Sequence, residues 1–176
     1  MEDSSEKLST RAVGIRYGLI LAAVSVLFFL LAAMLSLDTT QGPGRWVSLI
    51  FMVVVFVLGH KYYKDNGDGY MSYGQGMGIG FWASLISSLI SSTFTYLYVK
   101  FIDTNWMETL KEMQLEEMER QGMSEEQMEM AMEMMGRFST PEMIFVFSIL
   151  GGILLGVIAS LVITIFTQRN NDSAPF

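Results

Sequence analysis

The amino-acid sequence predicts an all-α integral membrane protein: a four-helix bundle with an extramembrane acidic helical hairpin between spans three and four. Of the 176 residues, 51% are hydrophobic, and they form runs long enough to cross a bilayer. The formal net charge is −7, yet residues 103–142 contain 11 acids and only 3 bases. The acidity therefore belongs to one segment. We expect a single membrane domain over residues 1–176, with residues 103–139 inserted as the hairpin.

The first two predicted spans differ in the length of their apolar runs. The first covers about residues 17–37 and contains no charged residue. Lys7, Arg11 and Arg16 precede it, but its apolar run exceeds the roughly 7–15 residues of a signal-peptide core, so we expect an uncleaved anchor. The second span, about residues 44–62, has a shorter apolar centre between aromatic and lysine residues. We expect it to cross, with a partial interfacial segment as the alternative.

The third and fourth spans begin at clear helix caps. Ser72 and Gln75 stand at the spacing of a capping box before the third span, about residues 73–101. Thr140 and the following proline open the fourth, about residues 141–166. Four crossings place both termini on one side of the membrane. The basic flank of the first span predicts cytoplasmic termini and a periplasmic hairpin.

Small residues recur every four positions along the third and fourth spans, which places each set on one helix face. Such faces allow two helices to approach closely in a bilayer. We predict a helix-packing interface, either within the bundle or between two copies of the chain. A polar conduit along the serines of the third span is the remaining alternative. The predicted interface consists of Gly76, Gly80, Ser84, Ser88, Ser92, Ser148, Gly152, Gly156 and Ser160.

The spans offer little for catalysis or ion coupling. Ion-coupled transporters usually bury an ionisable side chain, and the apolar centres here contain none. His60, the only histidine, is predicted to be a polar anchor at a membrane edge. The sequence contains no nucleophile–base constellation, metal-ligand cluster or phosphate loop, so we expect neither an enzyme nor a cofactor. The lack of a basic surface argues against nucleic acid as a partner.

The acidic segment is rich in methionine: 10 of the 15 methionines lie between Met107 and Met143. We predict one helix over residues 105–120, ending near Gly122, and a second that begins with a Ser124–Gln127 capping box. Flexible methionine side chains suit adaptable contacts, so the apolar stripe of the second helix is the candidate partner face. Cu(I) held by Met128, Met132 and Met135 is a disfavoured alternative, since no cysteine or histidine assists. The stripe consists of Met128, Ala131, Met132, Met135 and Phe138.

Three motifs give the chain a family resemblance: Arg16-Tyr17-Gly18-Leu19-Ile20, Gly69-Tyr70-Met71-Ser72-Tyr73-Gly74-Gln75-Gly76, and the methionine-rich run from Met118 to Met135. With the span pattern, they resemble a bacterial four-span membrane protein family, common in the Bacteroidota and known as a domain of unknown function. The resemblance implies an inner-membrane protein of Gram-negative bacteria. It supplies no activity and no functional residue.

These observations favour a non-enzymatic scaffold or interaction protein that presents the acidic hairpin to a protein partner or to a second copy of the chain. The alternative is a small transporter or channel-like protein that uses the serine-rich third span. The lipid bilayer is the one partner that composition alone requires.

Overall fold

The computed structural model describes residues 8–35, 42–136 and 140–169. These residues form six α-helices and no strand: α1 (Thr10–Met34), α2 (Gly42–Asp65), α3 (Tyr73–Phe101), α4 (Trp106–Arg120), α5 (Glu125–Gly136) and α6 (Pro141–Thr167). By length and composition, α1, α3, α6 and the Trp46–Asp65 part of α2 can each cross a membrane. The prediction of an all-α protein with four membrane-spanning helices is confirmed at that level.

The third and fourth spans begin at the predicted residues, whereas the first begins earlier. α1 starts at Thr10 rather than near residue 17, so both arginines that precede the apolar run lie on the helix. Each arginine lies over an aromatic ring: Arg11 is 4.9 Å from the centroid of Trp82, and Arg16 is 4.6 Å from that of Tyr62. These cation–π contacts let charged residues stay helical at a membrane edge. The predicted end of the span, at residue 37, lies outside the described residues.

The predicted helix caps are confirmed. Ser72 and Gln75 form a reciprocal capping box, with N···O distances of 2.7 and 3.3 Å. Ser124 and Gln127 form a second one, at 3.0 and 3.3 Å. The hydroxyl of Thr140 accepts a hydrogen bond from the backbone N–H of Met143 at 3.2 Å, which satisfies one of the free donors at the start of α6.

Gly122 ends α4 as predicted. Its φ is +75°, a conformation that glycine adopts without a Cβ penalty. The N–H of Gly122 donates to the carbonyl of Glu119, and that of Met123 donates to the carbonyl of Met118. This pair of bonds is a Schellman motif, which satisfies the last carbonyls of the helix.

The chain divides into two compact units, Met1–Ser91 with Leu150–Phe176, and Ser92–Ile149. The first unit contains α1, α2, the first part of α3 and the last part of α6. The second contains α4 and α5 with the adjoining ends of α3 and α6, and it therefore includes the predicted hairpin at residues 103–139.

The first unit is built around α3. Its hydrophobic core has two clusters, one around Phe56 and Ala83 and the other around Ile79 and Met71, all of them fully buried. α1 approaches α3 closely at Gly18, where an added Cβ would lie 2.8 Å from the carbonyl oxygen of Ala83. Because this neighbour is backbone, no side-chain movement can make room for it.

Gly18→Ala is therefore expected to destabilise the protein by about 1–3 kcal/mol, the usual cost of overpacking. Gly151→Ala on α6 is the matched control, since its Cβ would meet nothing within 4 Å. That variant is expected to be neutral or more stable by up to about 1 kcal/mol, because alanine is the better helix former. Reversible unfolding in mixed micelles measures both variants. Equal stabilities would contradict the close α1–α3 contact.

Candidate functional site: a serine-lined cleft and a buried histidine

In the first unit, α3 and α6 run antiparallel and meet through small residues at four successive levels. At each level a glycine of one helix faces a hydroxyl residue of the other. A Cβ added at Gly80 would overlap the side chain of Ser160, and one added at Gly156 would overlap that of Ser84. The four pairs are Gly76 with Thr164, Gly80 with Ser160, Ser84 with Gly156, and Ser88 with Gly152.

Seven residues of the predicted packing interface thus lie where α3 meets α6 in this unit. The other two, Ser92 and Ser148, belong to the second unit, where both line a cavity of about 10 Å³. Thr164 was not in the predicted set, although it occupies the same four-residue spacing, one step beyond Ser160. Threonine is small enough for such a face, and counting it as a small residue would have identified it.

A partly open cleft of about 170 Å³ lies beside the Ser84 and Ser88 levels of this contact. All four long helices contribute to it, and none of its lining residues is ionisable. At roughly 30 Å³ per molecule, its volume corresponds to about five waters. Ser84 already donates to the carbonyl of Gly80 at 2.7 Å. The lining comprises Ser25, Ser48, Ser84, Ser87 and Ser88, with Leu21, Leu49, Met52, Gly152 and Leu155.

Beyond the cleft, in the direction of the α3 N-terminus, the unit is densely packed. Phe56 is 1% exposed, and its ring lies next to Gly80. It forms a cluster with Val55, Ala83 and Ile163. This cluster separates the cleft from a polar network one turn further along α2. Gly76, at the level of that network, is about 12 Å from Ser84 along the axis of α3.

His60 is the centre of this network and is fully buried. Its Nδ1 lies 2.7 Å from the hydroxyl oxygen of Thr167, and its Nε2 lies 3.1 Å from the carbonyl oxygen of Gly76. The ring therefore joins α2 to both α3 and α6. The sequence predicted His60 to be a polar anchor at a membrane edge. The structure instead buries the ring, because helices that are distant in the sequence close over it.

Further hydrogen bonds surround the histidine. The hydroxyl of Thr167 also lies 2.9 Å from the carbonyl oxygen of Ile163, and Lys64 Nζ donates to the carbonyl of Thr167 at 2.8 Å. Ser160 donates to the carbonyl of Gly76 at 3.4 Å. By contrast, the buried hydroxyl of Thr164 has no hydrogen-bond partner within the described parts of the chain.

The chain segments on either side of this network are paired as well. Met71 and Arg169 form an antiparallel bridge, with both backbone N···O distances at 2.9 Å. The guanidinium of Arg169 lies 5.7 Å from the centroid of the Tyr70 ring. The glycine- and tyrosine-rich run before α3 thus closes this end of the first unit against the residues that follow α6.

In the second unit, the predicted partner face is half-buried rather than fully exposed. Met128, Ala131, Met132 and Met135 are all of intermediate exposure, and Phe138 lies outside the described residues. The exposed methionines of α5 are instead Met130, at 56%, and Met134, at 68%. Within the described ranges, no group of three or more histidine, cysteine or acidic side chains could hold a metal.

The DUF4199 family, described as a protein of unknown function, matches residues 16–169 of the chain. The chain belongs to this family. The DUF4199 match begins at the Arg16 motif and ends at Arg169, so it covers α2 to α6 and all but the first six residues of α1. The prediction that the chain belongs to a family known as a domain of unknown function is confirmed. No curated protein and no solved structure matches the chain.

Proposed function

We propose that this DUF4199 chain is a non-enzymatic membrane protein that binds a small uncharged polar solute in the serine-lined cleft and allows it to cross the bilayer. The observation that carries the proposal is the cleft itself, with five hydroxyl groups contributed by all three of α1, α2 and α3. Serine hydroxyls both donate and accept hydrogen bonds, so they can replace the water around a polar solute.

The chemistry of the lining supports an uncharged solute. An ion that leaves water for a cleft without an opposite charge would lose most of its hydration energy. The volume of the cleft limits the solute to a molecule of a few heavy atoms, and the hydroxyl groups of its lining favour a polar one, such as a small polyol or amide. The dense cluster around Phe56, which closes the cleft on one side, supports controlled passage rather than a permanently open pore.

Filling the cleft is expected to stop passage. Ser25→Leu adds bulk inside the cleft without touching the α3–α6 contact. Ala23→Leu, two residues away and exposed, adds a larger side chain to the outer surface of the same helix and is the matched control. In liposomes, glycerol and urea permeability measured by stopped-flow light scattering should fall to the protein-free level for Ser25→Leu and remain unchanged for Ala23→Leu. Equal permeability of unmodified protein and empty liposomes would contradict the proposal.

The second candidate function is a scaffold that presents α4 and α5 to a protein partner. It is supported by the two exposed methionines of α5, which lie among glutamates: Met130 follows Glu129, and Met134 follows Glu133. An apolar contact within an acidic surround suits a partner that has a hydrophobic pocket with a basic rim. A second copy of the chain lacks such a rim on its own acidic segment, so a different protein is the better fit.

Replacing Met130 and Met134 with serine is expected to abolish capture of this partner from membranes, because the apolar contact is lost. Met128→Leu is the control, since this half-buried residue keeps its volume and its apolar character. Deletion of residues 103–139 should produce the same loss. Affinity capture followed by mass spectrometry compares the three forms, and an unchanged set of captured proteins would contradict the scaffold function.

We further propose a bacterial inner-membrane location with cytoplasmic termini and periplasmic α4 and α5. Five basic residues of the first unit support this orientation, because they flank helix ends that four crossings would place on one side, whereas Arg45 lies on the other: Arg11, Arg16, Lys61, Lys64 and Arg169. The 11 acids of residues 103–142 have little weight in this rule.

A single cysteine tests the orientation, because the chain contains no cysteine of its own. Gln121 is the preferred position, since it is exposed and neighbours Gly122, whose positive φ makes substitution there unfavourable. An outer-membrane-permeant maleimide that cannot cross the inner membrane should label Gln121→Cys in intact cells. Labelling only after lysis would contradict the proposed orientation.

A further inference from the structure

The hydrogen-bond geometry at His60 restricts where its protons lie. The carbonyl oxygen of Gly76 can only accept a hydrogen bond, so the Nε2 that lies 3.1 Å from it carries a hydrogen. A neutral ring then has a bare Nδ1, which accepts from the hydroxyl of Thr167 at 2.7 Å. The neutral state is therefore the Nε2–H tautomer.

The hydroxyl of Thr167 has two acceptors within reach. It can donate to Nδ1 of His60, at 2.7 Å, or to the carbonyl oxygen of Ile163 in the preceding turn, at 2.9 Å. When Nδ1 gains a proton, it becomes a donor to the same hydroxyl oxygen, and the hydroxyl hydrogen turns to Ile163. Rotation of one hydroxyl group thus accommodates both charge states of the ring.

The surrounding charges oppose the protonated state. On α2, Lys64 donates to the backbone carbonyl of Thr167, the residue whose hydroxyl contacts the ring. At the start of α3 the titratable group is Tyr73, which donates to the carbonyl of Leu161, and after α6 it is Arg169, over the Tyr70 ring. Throughout residues 8–35, 42–136 and 140–169, no ion pair joins Lys64 or Arg169 to an acid. A charged His60 would thus place a buried cation beside the half-buried cation Lys64, with no carboxylate among the described residues to balance it.

We propose that His60 is a proton-binding site that holds α2, α3 and α6 together when it is neutral and loosens this end of the first unit when it takes up a proton. Two opposing effects set the balance. Protonation frees the Thr167 hydroxyl to donate to the carbonyl of Ile163, but it also brings a charge of the same sign as Lys64 into a fully buried site. Proton binding at His60 does not depend on the proposed cleft function, because it needs no solute. Only the role of the loosening in solute passage rests on that function.

The chain contains one histidine, so isotope labelling reports His60 alone when the protein is purified without a histidine tag. We expect ¹⁵N spectra of the full chain in nanodiscs to show the Nε2–H tautomer near pH 8. Two protonated nitrogens should be seen only as the pH falls to about 5, because the site opposes the charged ring. An Nδ1–H tautomer near pH 8, or a ring that stays neutral throughout, would overturn the proposal.

Structural loosening is measured with nitroxide labels at Leu58→Cys on α2 and Phe166→Cys on α6, two exposed and uncharged positions on either side of the network. The distance distribution should shift and broaden as the pH falls from about 8 to about 5. His60→Gln should remove this response. Thr164→Val, which changes a neighbouring hydroxyl that has no partner among the described residues, should retain it.

The same shift in His60→Gln, or protonation of the ring without any shift, would overturn the proposal. Should His60→Gln not fold, the ¹⁵N spectra and distances of the protein with its native histidine decide, since both are recorded on the same pH series. Because neither measurement contains a solute, a negative result here is distinct from an absence of glycerol or urea permeability, which would instead count against the cleft function.

Discussion

The close approach of α3 to its neighbours is the constraint on which the first unit depends. Lipid tails are as apolar as the side chains that face them, so helices in a bilayer gain little from hydrophobic association and rely on tight packing. Here the contact is between backbones: an atom added at Gly18 would lie 2.8 Å from the carbonyl of Ala83. Along another row of α3 residues, Gly80 allows Ser160 of α6 to approach closely as well. Both contacts place polar backbone and hydroxyl groups in the interior of the unit.

Two different environments result along the same face of α3. Near its N-terminus, aromatic and polar side chains fill the space between helices, with Phe56 at one level and His60 at the next. Further along, α2 supplies only Ser48, Leu49 and Met52, and the cleft of about 170 Å³ remains. A unit that is sealed at one level and hollow at the next is suited to binding a solute without leaking protons or ions. This difference, rather than any single residue, is the basis of the proposed function.

Local chemistry made much of the fold predictable. The bounds of α3 and α6 follow from the capping residues Ser72 and Thr140, whose hydrogen bonds connect residues three apart in the sequence. The small-residue spacing likewise predicts one packing face on each helix, because a period of four marks one side of a helix, but it does not name the helix that the face contacts. Such signals are contained within one helix and need no knowledge of its neighbours.

Burial of His60 could not be predicted in that way, because its partners Gly76 and Thr167 are 16 and 107 residues away. A histidine followed by lysine and tyrosine is typical of the end of a membrane span. Only the arrangement of three helices shows that the histidine is enclosed. Burial along the methionine stripe of α5 could not be predicted from the sequence either. Its period was evident, yet the sequence did not show that Met128 would be half-buried while Met130 and Met134 remain exposed.

Cysteine accessibility along α2 and α3, two of the four helices that border the cleft, is the most direct test of this account. Single cysteines at Ser48 and Ser87, which line the cleft, should react with a small water-soluble thiol reagent in sealed vesicles, because water reaches them. Cysteines at Ile79 and Ala83, both 0% exposed, should not react under the same conditions. Reaction confined to the first pair would establish a hydrated cleft next to a sealed level. Equal protection of all four positions would contradict the cleft and, with it, the proposed passage of a solute.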